Sequence, residues 1–425
     1  MSNIKIYLNS NTLLEACNFF RTFACFSNTQ KSMYFSLYLP IHVYVLLGAC
    51  LLAALVFCIY YAVPLFSVAR WRKHCNEEAS PLDPEVNAAK ASVIVYSRDE
   101  LTGLERLVPA LMNQNYEGEY EVIVVNEGES AQIRDYIDSL QLAHRNLYLT
   151  HTPDGARSLS RKKLALTLGV KAARGEVVVL TTALSVIESD RWLAEMMRPF
   201  NTDAAIEVVT GVAVPAEGED NARGRRRRSF DFCADCVTWL TAALRHHPYR
   251  GVEHNLAYRR ELFFNNKGFS RSLNIQHGDD DIFINEIARA DNTAVQLSDD
   301  SLVRFDGDIF NITYPEEAVR RAFTGKYIRH GARRRMVTGS WLLWLWIAAA
   351  AAALVFDHSN WLTAGTVAVT GIAMLLMLVA GWHSAMKALN GRRLFCTLPW
   401  LLITRPLRKC YYRMRSHGGR HFTYS

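Results

Sequence analysis

Gly278 is followed by three consecutive carboxylates, Asp279, Asp280 and Asp281, and then by an apolar run of helical spacing through Ile282, Phe283 and Ile287. Like charges this close raise the pKa of at least one member. A helix beginning there would offset part of the repulsion through its dipole. One reading is a carboxylate held for proton abstraction or charge work; the other is an acidic helix cap with two solvated neighbours. A second constellation, Arg161, Lys162 and Lys163, lies near the start of a helix expected over about 159–174. Cations at a helix N-terminus oppose the dipole, so they point to an anion that must be met, or else to a solvated basic first turn.

The elements that would position these residues alternate in type. Ala91 to Tyr96 is a buried strand of β-branched residues, followed by Ser97, Arg98, Asp99, Glu100 and a helix with apolar positions at Leu104, Leu107, Val108 and Leu111. Tyr120 to Val125 is a second apolar strand that ends in Asn126 and Glu127, and Leu147 to Thr150 is a third. Strand, helix, strand at this spacing is a parallel α/β unit. Ligands in such sheets bind outside the carboxyl ends of the strands, which gathers Arg98, Glu100 and Glu127. A fourth strand, Val177 to Leu180, ends in Thr181, Thr182, Ala183, Leu184 and Ser185 without an acid.

A fifth strand is expected over Ile206 to Val214, then a polar loop over 216–224 and the run Arg225 to Arg228. Four arginines in a row read as a mobile solvated segment or as a contact for lipid phosphate or diphosphate. Phe230, Phe232, Val237, Leu240 and Leu244 form a packing stripe on the next helix. Ala294 to Leu297 and Leu302 to Phe305 are short strands. Glu316 to Arg335 reads as one basic amphipathic helix suited to a membrane surface.

Half of the 425 residues are hydrophobic, and they are concentrated in Val43 to Val68, Trp341 to Phe356 and Trp361 to Trp382. Each stretch is near the roughly 20 residues that cross a bilayer as a helix, so three spans are expected. Arg70, Arg72 and Lys73, then Arg329 and Arg333 to Arg335, then Lys387, Arg392 and Arg393 flank the spans on one side. That side is cytoplasmic by the positive-inside rule. The net charge of +7 is explained by these flanks, so anionic lipid rather than nucleic acid is the expected partner. Nine cysteines include a lone pair, Cys233 and Cys236, with no second pair or histidine set to complete a zinc site. No signal peptide precedes the first apolar run, and Met33 just ahead of it is a candidate true start. The expected division is an N-terminal extension over 1–40, a span over 41–69, a linker over 70–90, an α/β domain over 91–335, a membrane hairpin over 339–383 and a basic cytoplasmic tail over 384–425.

The order of motifs over about 90–335 resembles a membrane-associated family-2 glycosyltransferase of the GT-A fold, in the form common in Bacteroidetes. SVIVYSRDE is similar to the first nucleotide-binding strand and loop, EVIVVNEGES to the strand whose terminal acid holds uracil, and SRKKLALTLGVKAARGE to the basic helix. GVEHNLAYRRELFF resembles the acceptor-side loop and GDDDIFINEIA the catalytic-base motif. The resemblance implies a nucleoside-diphosphate sugar as donor, Arg98 and Glu100 against the nucleotide, Glu127 on the base, and Lys162 and Lys163 on the diphosphate. Asn126 stands where many members have an acid. Asp280 would be the general base with Asp279 as its partner, Asn255 would lie on the acceptor side, and Arg329 with His330 would close over the leaving group.

One departure bears on the cofactor. The family ends its fourth strand with Asp-x-Asp, whose carboxylates hold Mg or Mn, and Thr182 and Leu184 occupy those positions here. The resemblance thus implies either an inverting enzyme whose leaving diphosphate is met by Lys162, Lys163 and Arg329, or a catalytically silent scaffold in envelope-glycan assembly. The enzyme would act at a bacterial inner membrane, from the cytoplasmic side, on a lipid-linked or envelope saccharide acceptor. Because the basic flanks share one side, a reporter fused after Ser425 is expected in the cytoplasm and one inserted at His358 in the periplasm. A periplasmic reporter at 425 would overturn the three-span topology.

Overall fold

A computed structural model describes residues 41–78, 88–153, 160–216, 224–357, 361–391 and 397–417. The expectations for the N-terminal extension, for Met33, for most of the loop over 216–224, and for Arg392 and Arg393 lie outside them. The chain divides into two compact units. One comprises residues up to Cys58 together with Leu342–Leu376, and the other Ile59–Trp341 with the chain from Met377 on.

In chain order, α1 (Ile41–Phe57) passes through a π-helical turn at Cys58–Ala62 into α2 (Val63–Glu78). Then come β1 (Ala91–Ser97), α3 (Leu101–Met112), β2 (Tyr120–Asn126), α4 (Ala131–Gln141), β3 (Leu147–His151), α5 (Arg161–Ala172) and β4 (Val177–Thr182). They are followed by β5 (Ser185–Val186), α6 (Trp192–Thr202), β6 (Val208–Thr210), β7 (Ala213–Pro215), α7 (Arg225–Ala243), β8 (Leu256–Arg259), α8 (Arg260–Asn265) and α9 (Ile282–Ile287). The chain closes with β9 (Thr293–Val295), β10 (Val303–Phe305), α10 (Gly307–Thr324), α11 (His330–Phe356), α12 (Trp361–Ala388) and α13 (Leu398–His417).

Seven strands form one mixed sheet in the order β3-β2-β1-β4-β8-β6-β9, and β5-β10-β7 form a small second sheet. β3, β2, β1 and β4 are parallel, whereas β8 runs antiparallel to both β4 and β6. Right-handed crossovers put α3 and α4 on one face, since β1 to β3 step one way along the sheet, and α5 on the other, since β3 to β4 steps back. Leu166 and Val170 of α5 pack on Ile94, Ile123 and Val125, and the same core continues through Phe263, Phe269 and Phe283. The last two rings meet edge to face with centroids 4.9 Å apart, a geometry that adds to the apolar burial.

Several expected elements differ in detail. The strand expected over 206–214 is two strands, β6 and β7, in different sheets. β8 lies inside the stretch first read as an acceptor loop. Residues 70–78, expected as linker, are helical and anchored: Trp71 Nε1 donates to the Val295 carbonyl at 2.8 Å, and Arg72 ion-pairs with Asp299. Arg225 to Arg228 are the first turn of α7, with Arg225 buried against Asp308. The amphipathic helix expected over 316–335 is divided between α10 and α11.

Among the described residues two helices have the length and composition to cross a membrane, Val43–Glu78 and Trp361–Ala388; the apolar stretch Trp341–Phe356 is shorter. In the first unit Val43 and Leu47 pack with Ala353, flanked by Leu362 and Val367. Ile41, Val45, Leu52 and Leu55 on α1 are exposed.

The basic tail is a structural part of the second unit. α13 packs on α10 and α7, and its cations answer acids on α7. Arg408 makes a two-pronged contact to Asp231 at 2.6 and 2.5 Å, while Arg405 and Lys409 pair with Asp235 at 2.7 and 2.9 Å. Burial alone would raise the Asp235 carboxyl, but Lys409 and Arg405 hold it below the usual carboxylate range. Removing one partner of a buried pair strands the other charge. Arg408→Ala is therefore expected to cost about 3 kcal/mol in denaturant unfolding, and to recover most of that loss when combined with Asp231→Asn. A loss equal in both variants would show that the pair contributes little.

Candidate active site

The carboxyl ends of β1, β2 and β4 open into a cleft of about 410 Å³. Its lining includes Tyr96, Arg98 and Glu100 after β1, Glu127 after β2, Arg161 and Lys162 on α5, and Thr182 and Leu184 after β4. Arg250, Glu253, His254 and Asp279 to Asp281 form the facing wall, and Arg320 and Arg321 of α10 close it.

The loop after β1 is held by side chains rather than by its own backbone. Asp99 has a positive φ of 59°. Asn126 stabilises it reciprocally, accepting from the Asp99 amide at 3.1 Å and donating to its carboxylate at 2.7 Å. Glu100 accepts from the Arg98 amide and from the Ser97 hydroxyl, which leaves the exposed Arg98 side chain at the cleft. Glu127 accepts from the Tyr96 hydroxyl and lies 3.6 Å from Arg161 Nε.

The three aspartates have three different surroundings. Gly278 has φ 109°, a conformation glycine adopts without a Cβ penalty. The turn then presents Asp279 to Lys162, whose Nζ lies 3.0 Å from the carboxylate and also pairs with Glu253. Burial opposes ionisation of Asp279, yet Lys162 holds its carboxyl below the usual range. Asp281 caps α9 by accepting from the Ile282 amide at 2.7 Å, and it accepts from the Thr324 hydroxyl. Burial and then the neighbouring Asp280 push it up to about 6. Asp280 faces the cleft, with its side chain 21 % exposed and Arg250 Nη2 at 3.5 Å.

Arg98, Glu100, Glu127, Lys162, Asp279 and Asp280 thus meet in one cleft, and three expected residues do not. Lys163 is fully buried and points away, donating to the Ser272 carbonyl at 2.7 Å and hydroxyl at 3.0 Å. Burial lowers its pKa to about 8. It neighbours Lys162 in sequence, but a helix turns about 100° per residue, so one lysine faces the cleft and the other the core. Asn255 is also fully buried, donating to the Val212 and Ser301 carbonyls and accepting from Trp192 Nε1. Arg329 holds the end of α9, donating to Asn285 Oδ1 at 3.1 Å and to the Ala288 carbonyl at 2.8 Å. His330 begins α11, and the expectation for its side chain lies outside the described residues.

Sequence reasoning missed Arg250, Glu253, His254, Arg320 and Arg321. Glu253 and His254 sit inside the motif expected as an acceptor-side loop, where they are part of a polar run between Val252 and Leu256 whose spacing marks neither of them out.

The end of β4 does not fit a divalent metal. Mg and Mn call for several hard oxygen ligands, chiefly carboxylates, and this strand end supplies the Thr182 hydroxyl and an apolar Leu184. The Thr182 and Ser185 hydroxyls are both taken up by His254 Nδ1, at 2.9 and 3.0 Å. Among the described residues no group of three or more His, Cys, Asp or Glu is placed to hold a metal. Cys233 and Cys236 are buried on α7, with the Cys236 thiol pushed up to about 12 by burial.

A mixed sheet whose parallel half gathers cations and carboxylates at its carboxyl edge is the arrangement of the GT-A glycosyltransferases. Residues 92–270 match the glycosyl transferase family 2. The match ends before Gly278, so the aspartate turn lies beyond it. Among solved structures, the mannosyltransferase PcManGT from Pyrobaculum calidifontis, in complex with GDP-Man and Mn²⁺, is 20 % identical. It superposes with a TM-score of 0.52 over 86 % of this chain and 99 % of its own, which establishes the shared fold. S. aureus TarS 1–349 is 16 % identical over 78 % of this chain and 91 % of its own, with a TM-score of 0.35. No curated protein matches by sequence.

Asp281 makes the turn sensitive to pH. Its folded pKa of about 6 lies above the roughly 3.9 of an exposed aspartate. Protonation therefore favours the fold, and this contribution is complete below about pH 4 and lost as pH rises through about 6. Asparagine retains the cap without titrating. The melting temperature of the wild type is expected to fall relative to that of Asp281→Asn across that window; parallel curves would refute the assignment.

Proposed function

We propose that the protein is an inverting glycosyltransferase. It moves a sugar from a nucleoside-diphosphate donor to a lipid-linked or envelope saccharide acceptor at the cytoplasmic face of a bacterial inner membrane. One observation carries this reading: of three adjacent aspartates in the cleft wall, two are buried and committed to Lys162 and to the α9 cap, and Asp280 is the partly exposed one, its cation Arg250 standing off at 3.5 Å.

In the proposed reaction an Asp280 carboxylate oxygen takes the proton of an acceptor hydroxyl. The hydroxyl oxygen bonds to the anomeric carbon as the bond from that carbon to the diphosphate oxygen breaks, and attack opposite the leaving group inverts the configuration. Arg250, with Nη2 3.5 Å from the carboxylate, orients Asp280. Lys162 and Arg161, at the start of α5, lie on the side of the cleft where the diphosphate would sit against the strand ends, and Arg98 and Glu127 lie where the nucleoside would. Phe232, Trp239, Phe305 and Phe310 line the remaining wall, an apolar surface suited to the flat face of an acceptor sugar.

Membrane placement is supported by the two long apolar helices and by α13. On α13, Leu398, Leu401, Leu402 and Arg405 face the domain, while Trp400, Leu407, Tyr411 and Met414 are 50–69 % exposed. At 100° per residue these four share one face, with Arg415 at its edge. An apolar stripe with a cation at its edge is the pattern of a helix lying in a lipid interface.

If Asp280 is the base, Asp280→Asn keeps size and hydrogen bonding but removes the proton acceptor. Turnover in a transfer assay over a panel of nucleotide sugars is expected to drop about 10²-fold or more, with donor affinity within a few-fold. Unchanged turnover would end the assignment.

A further inference from the structure

The end of β4 is not merely short of carboxylates; another group is built into their place. The His254 imidazole is fixed in two directions. Its Nδ1 edge meets the hydroxyls of Thr182 and Ser185 at 2.9 and 3.0 Å, and its face stacks on Phe305 with centroids 4.6 Å apart and planes 5° from parallel. Phe305 is itself held by Phe232 and Phe310. Burial, and then the nearby Lys162 and Arg321 charges, keep the ring neutral by lowering its pKa to about 3.

A neutral imidazole has one N–H and one bare nitrogen, and a Ser or Thr hydroxyl can donate or accept; in the tautomer where a hydroxyl donates to Nδ1, the proton lies on Nε2. The nearest acid to Nε2 is Glu253, 3.8 Å away and already paired with Lys162. His254 lines the cleft beside Lys162 and Asp279. The ring is therefore a preoriented N–H donor at the place where the donor diphosphate would lie. Fixed donors of this kind stabilise a developing anion without reorganising.

We infer that His254 takes the part of a divalent cation at this strand end: its Nε2–H donates to the diphosphate of the sugar donor, with Lys162 and Arg161 supplying the positive charge. Thr182 and Ser185 act as positioning residues that fix the ring. This rests on the glycosyltransferase reading above and adds that nucleoside diphosphates bind without a divalent metal.

The test is calorimetry on the purified full chain with UDP, GDP, ADP, CDP and dTDP, with EDTA and with Mn²⁺. The affinity for the best of these is expected to differ less than about threefold between the two conditions. His254→Phe, which keeps the stack on Phe305 but has no N–H, should weaken binding about tenfold or more, the loss of one hydrogen bond to a charged group. Its melting temperature should stay near that of the wild type. His254→Ala combined with Thr182→Asp and Leu184→Asp should bind only with Mn²⁺. Wild-type binding that EDTA weakens more than tenfold, or undiminished binding by His254→Phe, would overturn the role of His254 and leave the transferase intact. Failure of the wild type to bind any of the five would overturn both.

Discussion

Three carboxylates on consecutive residues of a largely buried turn repel one another, and low local polarity makes the repulsion worse. The fold answers by dividing them. Lys162 reaches from the start of α5 to Asp279 and Glu253, the α9 amide and Thr324 take Asp281, and Arg250 stands off Asp280 at 3.5 Å. The Lys162 contact matters most for the architecture, because it joins the parallel half of the sheet to the aspartate turn, more than a hundred residues later in the chain. Without that cation Asp279 and Glu253 would both lose their ion-pair partner.

The same logic extends outward. Arg250 is buried among Asp280, Asp281 and Asp235, which raise its pKa against the opposing effect of burial. Asp235 is in turn held by Arg405 and Lys409 of α13. A line of alternating charge therefore runs from the cleft through α7 to the C-terminal helix. The helix is attached by ion pairs on one side while its opposite face stays apolar and exposed.

On the inference drawn for His254, the β4 end exchanges one kind of electrostatics for another. A carboxylate pair attracts a cation that then attracts a diphosphate, whereas a fixed N–H acts on the diphosphate directly. The second needs an exact orientation, which the Thr182 and Ser185 hydroxyls and the Phe305 ring provide together.

Much was legible in the sequence because it is local. The β-branched runs at 91–96, 120–125 and 177–180, the helical period at 104–111 and the turn residues between them dictate the parallel α/β half and place Arg98, Glu100 and Glu127 at its edge. The long apolar runs likewise announce themselves by length. Tertiary structure alone decided which neighbour in a pair does what. Lys162 and Lys163 are alike in sequence, yet one step of helix sends the second into the core against Ser272. Asn255 was indistinguishable from a polar ligand until β8 and Trp192 enclosed it, and the basic tail looked solvated until Asp231 and Asp235 of α7 lay beneath it. The reason is common to all of these. Propensity and periodicity report on contacts within a few residues, whereas the partner of a buried charge is chosen by elements tens to hundreds of residues away, and only the folded chain brings them within hydrogen-bonding distance.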